Sequence, residues 1–216
     1  MKLFLDTAET SIIGEHFARG LVDGVTTNPT LIMRSGRDPD EVYTELENLG
    51  ITDISMEVVG DAKEMMEEAI RLSDKFGIIA TIKVPCTKDG LYVCRLLSRM
   101  NVSVNVTLIF SAAQAVLAAK AGATYVSPFV GRVDDQSFDG IKLIEDIRTI
   151  YSINGVDTEI LAASVRSVSQ VTDSFRAGAD LVTLPPAVLD KMYNHILTDA
   201  GLAQFDLDWA QVTKNS

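Results

Sequence analysis

Lys83 is a charged residue inside a run that otherwise predicts a buried strand. Its neighbours in residues 78–85 are apolar or β-branched, and a proline closes the run. Side chains alternate along a strand, so Lys83 shares one face with Thr81 and points into whatever the sheet encloses. A buried lysine whose pKa is lowered by about three units, at about 4 kcal/mol, can form a Schiff base with a carbonyl substrate. A lysine paired with a buried carboxylate is the structural alternative, and it fits this run equally well.

Polar residues with the same alternation occur at the ends of other predicted strands. Barrel interiors are normally packed with Val, Ile and Leu, so several polar side chains at one end predict a site. Glu57 could transfer protons during Schiff-base formation, and Asp6 could remove a proton from a substrate hydroxyl during carbon–carbon cleavage. Either carboxylate could instead only neutralise Lys83. The polar residues at strand ends are Asp6, Thr26, Asn28, Glu57, Asn105, Thr107, Ser164 and Arg166.

Amide and hydroxyl side chains form a second part of this candidate site. Asn28, Asn105 and Ser127 could orient sugar hydroxyls by hydrogen bonding, whereas Thr26 and Thr107 could hold a catalytic water. Ser, Thr and Asn also cap the helices that follow strands, so each of these residues has a structural interpretation as well.

Two arginines follow neighbouring strands and predict an anion site. Arg132 comes shortly after the sixth predicted strand, and Arg166 ends the seventh, beside Ser164. Barrel enzymes commonly bind phosphate at the C-terminal ends of their later strands, and guanidinium groups bind phosphate in a bidentate manner. The two arginines therefore predict an anionic tail on the substrate, with surface salt bridges as the alternative.

Eight rounds of strand and helix must position these residues. Short β-rich runs alternate with amphipathic helical runs, which indicates repeated βα units on a parallel sheet. Pro29, Pro128 and Pro185 mark the C-terminal ends of three strands, because proline cannot donate to a sheet ladder. We predict an α/β fold, the (β/α)8 TIM barrel, because the glycine-rich phosphate turn of a doubly wound sheet is absent. The predicted strands are residues 2–5, 24–27, 53–59, 78–84, 102–107, 125–129, 159–164 and 181–184.

The domain organisation follows from the same alternation. No linker divides the chain, so residues 1–216 are predicted to form a single barrel domain. After the eighth unit, residues 198–212 predict an extra C-terminal helix. Its apolar face could cover its own barrel or pack on a neighbouring subunit. The apolar residues at helical spacing are Leu202, Phe205, Trp209 and Val212.

Composition argues against several function classes. The formal net charge of −11 argues against nucleic acid as a partner, because a phosphate backbone binds basic surfaces. No run approaches the roughly 20 apolar residues of a membrane span, so we expect a soluble, cytoplasmic protein without a membrane partner. Two cysteines and two histidines form no metal-ligand pattern, so neither a zinc site nor a disulfide framework is expected.

Six segments together resemble the transaldolase family of class I aldolases. The resemblance is to its short branch, which also contains the fructose 6-phosphate aldolases. The segments occur in family order and span nearly the whole chain, and the TTNP and SPFVGR runs are the most specific. They are FLDTA at 4–8, GVTTNPTL at 24–31, IKVP at 82–85, NVTLIFS at 105–111, VSPFVGRVD at 126–134 and AASVR at 162–166.

The resemblance implies roles for four catalytic residues and a barrel that needs neither a cofactor nor a metal. By this resemblance Lys83 is the Schiff-base lysine, and Asp6 is the base for cleavage. Glu57 is then the acid, acting through a water that Thr107 holds.

The resemblance also implies sugar phosphates as substrates, in the pentose phosphate pathway. The family reaction transfers a dihydroxyacetone unit from fructose 6-phosphate or sedoheptulose 7-phosphate to erythrose 4-phosphate or glyceraldehyde 3-phosphate. The residues implied in binding are Asn28, Asn105 and Ser127 for the dihydroxyacetone portion, and Arg132, Ser164 and Arg166 for the phosphate.

Two positions separate transferase from aldolase within the branch. Transaldolases resemble this chain in having Glu57 and Phe129, where the fructose 6-phosphate aldolases tend to have Gln and Tyr. A tyrosine hydroxyl at position 129 could position a water that protonates the bound carbanion, and phenylalanine cannot. We therefore predict a transaldolase, with a fructose 6-phosphate aldolase as the alternative.

Two further interpretations compete with this one. The resemblance also implies an oligomeric state. A deoxyribose-phosphate aldolase would need a second inward-facing lysine, and a non-catalytic sugar-phosphate-binding barrel would not need Lys83, Glu57 and Asp6 together. Members of the short branch form rings of five that often stack as decamers, with the C-terminal helix reaching a neighbour. The resemblance thus implies a homopentamer or a homodecamer.

Overall fold

Eight parallel strands close into a barrel at the centre of the molecule. The computed structural model describes residues 1–214. Each strand pairs with the next one in the sequence, and the eighth pairs with the first. This topology confirms the predicted (β/α)8 barrel and excludes the doubly wound open sheet. The strands are β1 Lys2–Asp6, β2 Gly24–Thr26, β3 Ile54–Glu57, β4 Ala80–Pro85, β5 Ser103–Ile109, β6 Tyr125–Pro128, β7 Glu159–Ala162 and β8 Leu181–Leu184.

Helices surround the barrel, and most of them bury apolar residues against it, as a parallel barrel requires. The helix Ala62–Phe76 is an example of how these helices begin: Asp61 caps its first turn by accepting hydrogen bonds from the N–H groups of Lys63 and Glu64. The helices are α1 Thr10–Ala18, α2 Pro29–Ser35, α3 Pro39–Asn48, α4 Ala62–Phe76, α5 Lys88–Arg99, α6 Ala112–Ala121, α7 Val130–Asp135, α8 Gly140–Asn154, α9 Val168–Arg176, α10 Pro186–Met192 and α11 Ile196–Lys214.

Some strand boundaries differ from the predicted ones. The predicted strand 78–84 begins later, because Gly77–Ile79 forms a turn of 3-10 helix before β4. The predicted strand 159–164 ends at Ala162, so Ser164 lies in the loop that follows β7. Ser164 has a φ of +58°, a left-handed conformation outside the β region.

A β-bulge interrupts β5 close to the candidate site. Val106 lies opposite Val126 and Ile109 lies opposite Pro128, so β5 has one residue more than its partner between these pairs. Leu108 adopts a φ of +60° in this bulge, which is a strained conformation for a leucine. Bulges re-aim side chains near active sites, and this one directly follows Thr107.

Aromatic and polar side chains fill the N-terminal end of the barrel. Asp53 accepts hydrogen bonds from the Thr81 hydroxyl at 2.8 Å and from the Tyr125 hydroxyl at 2.7 Å. The Phe4 and Tyr125 rings pack edge to face with their centroids 6.4 Å apart. Most of the predicted site residues line a cavity at the opposite end.

The C-terminal helix α11 extends two residues beyond the predicted 198–212 at each end and buries none of its residues in this chain. Phe205 and Trp209 are 70% and 68% exposed, and Leu202 and Leu207 are also exposed. This helix therefore does not cover its own barrel, which was one of the two alternatives for its apolar face. Within residues 1–214, no helix is both long and apolar enough to cross a membrane.

Candidate active site

Lys83 lies near the C-terminal end of β4 with its ammonium group inside the barrel. Its Nζ atom donates a hydrogen bond to the Thr27 backbone oxygen at 2.9 Å and lies 3.1 Å from Glu57 Oε2. Glu57 is the register partner of Lys83 on the neighbouring strand, and the lysine is only 5% exposed. A lysine acts as a nucleophile only as the free amine, and Glu57 lies close enough to accept its proton.

A small central cavity opens beside Lys83 at the C-terminal ends of the strands. Its volume of about 100 Å³ suits a fragment of a few atoms, well below the roughly 300–1,000 Å³ of pockets for drug-sized ligands. Glu57, Asn105 and Arg166 are the predicted site residues that do not line it. The cavity is lined by Asp6, Thr26, Asn28, Lys83, Thr107, Ser127, Phe129, Arg132, Ala163, Ser164 and Thr183.

Asp6 faces this cavity at the end of a chain of hydroxyl groups. The Thr26 hydroxyl donates to Asp6 Oδ1 at 2.8 Å, and the Thr26 and Thr183 oxygens are 2.6 Å apart. A hydroxyl has one proton, so Thr183 donates to Thr26 when Thr26 donates to Asp6. Burial raises the pKa of Asp6, while the Lys83 charge, the Thr26 hydrogen bond and the Arg132 charge oppose that rise. A carboxylate with a raised pKa is a stronger base than an ordinary aspartate.

Thr183 is a cavity residue that the sequence analysis missed. It is the single polar residue in β8, between Val182 and Leu184. The alternation rule that selected Lys83 would also have selected it. Its position matters because it supplies the hydrogen bond to Thr26 while Thr26 donates to Asp6.

A second buried network orients Ser127. The Ser127 hydroxyl donates to Asn105 Oδ1 at 2.7 Å, and Asn105 Nδ2 donates to Ser55 Oγ at 3.1 Å. Because its proton is used by Asn105, Ser127 presents acceptor lone pairs to the cavity. Asn105 is fully buried behind Ser127, and Ser55 was also missed by the sequence analysis.

Thr107 presents a hydroxyl with no partner among the described residues. It is 1% exposed, lines the central cavity, and its Oγ1 atom makes no hydrogen bond there. Buried polar groups are nearly always hydrogen-bonded, so an exception at a cavity wall marks a group available to a ligand or a water.

Glu57 and Asn28 line a cleft outside the central cavity. Glu57 lines a separate cleft of about 290 Å³ between α2, α3 and α4, and Asn28 lines this cleft as well as the central cavity. The Asn28 side chain also caps α2 by accepting from the Leu31 N–H at 3.0 Å. The capping interpretation is therefore correct for Asn28, and it leaves the Asn28 amide NH₂ as the group for a ligand.

The two predicted anion-binding arginines are in different situations. The Arg132 guanidinium stacks 4.9 Å from the centre of the Phe129 ring and lines both the central cavity and an outer cavity of about 530 Å³. Arg166 lines only the outer cavity, and its two terminal nitrogens donate to Asp135 at 2.5 and 2.6 Å. Arg166 therefore forms the salt bridge that was the alternative to anion binding.

The described residues contain no candidate metal-binding cluster and two free thiols. Over residues 1–214, no three or more His, Cys, Asp or Glu side chains group together so that they could hold a metal ion. Cys86 and Cys94 are free thiols, and burial raises the pKa of Cys86 and raises that of Cys94 to about 12. Both thiols are therefore protonated and poor nucleophiles at neutral pH.

Comparisons with known proteins show which family this sequence resembles. The chain matches the family described as "Transaldolase/Fructose-6-phosphate aldolase" over residues 3–216. A Paracoccus denitrificans (strain Pd 1222) protein named "Probable transaldolase" is 54% identical over 212 residues, 98% of this chain and 97% of the relative. Proteins of the same name from Ruegeria pomeroyi and Caulobacter sp. (strain K31) are 55% identical over 209 residues and 51% identical over 210 residues. These two alignments cover 96% and 97% of both chains, respectively.

Proposed function

Because the chain belongs to the transaldolase/fructose-6-phosphate aldolase family, we propose that it is a transaldolase that works through a Schiff base on Lys83. It transfers a dihydroxyacetone unit from fructose 6-phosphate or sedoheptulose 7-phosphate to erythrose 4-phosphate or glyceraldehyde 3-phosphate. The observation that carries this proposal is the buried Lys83 ammonium, 3.1 Å from Glu57, in the wall of a cavity that Asp6 shares.

Schiff-base formation is the first half of the proposed mechanism. Lys83 transfers a proton to Glu57, and its free amine attacks the C2 carbonyl carbon of the ketose. Glu57 then returns this proton to the carbinolamine oxygen through a water that the Thr107 hydroxyl holds. A second proton passes from the nitrogen to the same oxygen by the same route, and water leaves to give the iminium ion. The unpartnered Thr107 hydroxyl supports this role.

Cleavage and transfer form the second half. Asp6 removes the proton from the C4 hydroxyl, the C3–C4 bond breaks, and its electron pair moves into the iminium to give an enamine. The aldose leaves, the enamine carbon attacks the aldehyde of the acceptor, and Asp6 returns its proton to the new hydroxyl. Water then hydrolyses the iminium and releases the product ketose. The raised pKa of Asp6 supports its action as the base.

Binding roles follow from the donors and acceptors around the cavity. We assign the dihydroxyacetone hydroxyls to Asn28 and Ser127, with Asn105 holding Ser127 in place. We assign the phosphate to the rim, where Ser164 and the two arginines lie. The small central cavity and the larger outer cavity suit a three-carbon fragment followed by a charged tail.

The balance between transfer and release depends on water near the enamine. Phe129 lines the central cavity and stacks on Arg132, so an apolar ring borders the site where the carbanion equivalent forms. A ring without a hydroxyl cannot hold a water there for protonation. This favours transfer over the release that a fructose 6-phosphate aldolase catalyses.

The proposed setting is the pentose phosphate pathway in the cytoplasm, with no cofactor. We also propose a homopentamer or a homodecamer in which α11 packs on a neighbouring subunit. The exposure of Phe205 and Trp209 on α11 supports this arrangement, because apolar patches of this kind are usually covered by a partner.

Borohydride trapping tests the proposal. The full-length protein is reduced with fructose 6-phosphate, with and without erythrose 4-phosphate, while mass spectrometry locates the adduct and both products are measured. We expect a dihydroxyacetone adduct on Lys83, absent from Lys83→Met, and transfer that far exceeds release of free dihydroxyacetone. Comparable release would make the protein a fructose 6-phosphate aldolase. An unmodified Lys83 would return this residue to a structural role.

A further inference from the structure

The Asp135 carboxylate binds the terminal nitrogens of Arg166, which are the atoms that would bind an anion. The two terminal nitrogens of Arg166 each donate to one oxygen of Asp135, at 2.5 and 2.6 Å. This two-point contact uses the planar fork through which a guanidinium also binds phosphate. The Asp135 carboxylate and a substrate phosphate therefore compete for the same two nitrogen atoms.

Arg132 has no such competitor among the residues that the structure describes. Its guanidinium carbon lies 4.9 Å from the centre of the Phe129 ring, and its N–H groups make no hydrogen bond with the described residues. Arg132 also reaches the central cavity, whereas Arg166 does not. The Arg132 guanidinium can therefore bind an anion directly, whereas the Arg166 guanidinium already binds the Asp135 carboxylate.

Backbone packing determines where the Arg166 side chain runs. A Cβ atom at Gly131 would lie 2.2 Å from the Ser164 backbone oxygen and 2.8 Å from Arg166 Nε, so only glycine lets the side chain pass. The Arg166 backbone N–H donates to Gln170 Oε1 at 2.8 Å. Because the start of the side chain is fixed, Asp135 decides only where the guanidinium end lies.

The contact is weak enough to be exchanged. The Asp135 and Arg166 side chains are 47% and 51% exposed, and ion pairs at such sites contribute little to stability because water and salt screen them. A phosphate dianion carries more charge and more acceptor oxygens than a carboxylate, so it can displace Asp135 from the fork. A ligand without a phosphate cannot.

We propose that Asp135 is a specificity-determining residue that holds Arg166 away from the central cavity until a phosphate group displaces it. The inference rests on the proposed function, because it takes the rim of the barrel as a phosphate site. Its consequence is selective: Asp135 weakens the binding of every phosphorylated ligand and leaves phosphate-free ligands unaffected.

The test measures inorganic phosphate binding to the full-length protein by calorimetry at neutral pH and constant ionic strength. We expect Asp135→Asn to bind phosphate about two- to fivefold more tightly, the change expected from losing one exposed ion pair. Asp135→Ala should change in the same direction. With fructose 6-phosphate the KM of Asp135→Asn should fall while kcat is unchanged, and trapping of dihydroxyacetone alone on Lys83 should match that of the unchanged protein.

Asp134→Asn is the matched control for charge. Its carboxylate accepts from the Gly140 N–H at 2.9 Å and from Gln170 Nε2 at 2.7 Å, so it lies next to Asp135 without contacting the Arg166 fork. We expect a much smaller gain in phosphate affinity from this variant. An equal gain in phosphate affinity would mean that the effect comes from the loss of any nearby negative charge, and this result would overturn the proposal.

Three other results would also overturn it: unchanged phosphate affinity in Asp135→Asn, weaker affinity, or no detectable phosphate binding by either protein. Phosphate titration does not require Schiff-base chemistry. A failure to trap Lys83 would therefore refute the proposed function while leaving the role of Asp135 to be decided by the titration.

Discussion

The Thr26 hydroxyl donates a hydrogen bond to the Asp6 carboxylate across the β1–β2 pair, at 2.8 Å. This bond favours ionised Asp6, whereas burial, the larger effect, raises its pKa above the ordinary value of about 3.9. Asp6 acts as a base only when ionised. The rate of cleavage should therefore fall as the pH drops through this raised pKa.

Removing the Thr26 hydroxyl should move the acidic limb of the pH–rate profile, the pH range in which kcat falls, to higher pH. Thr26→Val deletes the bond that lowers the pKa of Asp6, so kcat should fall at a higher pH than in the unchanged protein. Asp6→Asn should lower kcat by about 10²-fold or more, as expected for loss of a general base, and abolish the limb. The measurement is kcat for sugar cleavage against pH. A limb that stays in place in Thr26→Val would remove Asp6 from the role of base.

Thr107 should matter for rate and not for stability. Thr107→Val keeps the shape of the side chain and deletes a hydroxyl that makes no hydrogen bond with the described residues. Unfolding by denaturant should give a free energy within about 1 kcal/mol of the unchanged protein, because no bond between residues is lost.

The same variant should lower kcat by roughly 10- to 100-fold, the loss of one hydrogen bond to a charged reaction centre. Thr107→Ser retains the hydroxyl and serves as the control, with activity close to that of the unchanged protein. Normal kcat in Thr107→Val would contradict a water-holding role for this residue.

Ser164 combines a polar side chain at the phosphate rim with a left-handed backbone at φ +58°. Ser164→Gly and Ser164→Ala delete the same hydroxyl, but only glycine adopts this conformation without a steric cost. We expect the glycine variant to be more stable than the alanine variant by roughly 1 kcal/mol in denaturant unfolding. Both variants should raise the KM for fructose 6-phosphate to a similar extent. Equal stability would mean that the loop relaxes to a negative φ in the alanine variant.

Asp40 joins α3 to α4 and should make stability depend on pH in the acid range. It accepts from both terminal nitrogens of Arg71 and from Lys75 Nζ, each at 2.8 Å, and the Arg71 hydrogen bonds are the main cause of lowering its pKa to about 2. A lowered pKa stabilises the fold above the unfolded value of about 3.9, and this contribution disappears as the pH falls towards 2.

Asp40→Asn should therefore be less stable than the unchanged protein by about 1 kcal/mol at neutral pH, a modest value because the pair is partly exposed. The difference should shrink below about pH 4. Asp74→Asn, at an exposed position on α4, is the control and should leave stability unchanged. A difference that does not shrink in acid would mean that Asp40 acts through packing and not through charge.

Alternation along single strands was enough to predict most of the cavity wall. Lys83, Thr26 and Thr107 were selected because every second residue of a strand faces the same side, and this rule needs only a few neighbouring residues. The same rule extends to Thr183, which was missed only because β8 contains no second polar residue. The barrel itself was predictable for a similar reason, since βα repeats and strand-ending prolines are local patterns.

Only the tertiary structure decided how these residues pair. Thr26 meets Thr183 across 157 positions of sequence, and Arg166 meets Asp135 across 31. Such contacts depend on the register between strands, on the extra residue in β5 and on the loop after β7. A sequence pattern has a short range, whereas strand register and loop conformation are set by the packing of the whole barrel. The sequence therefore determined which side chains face the end of the barrel, and the fold determined which of them hold one another.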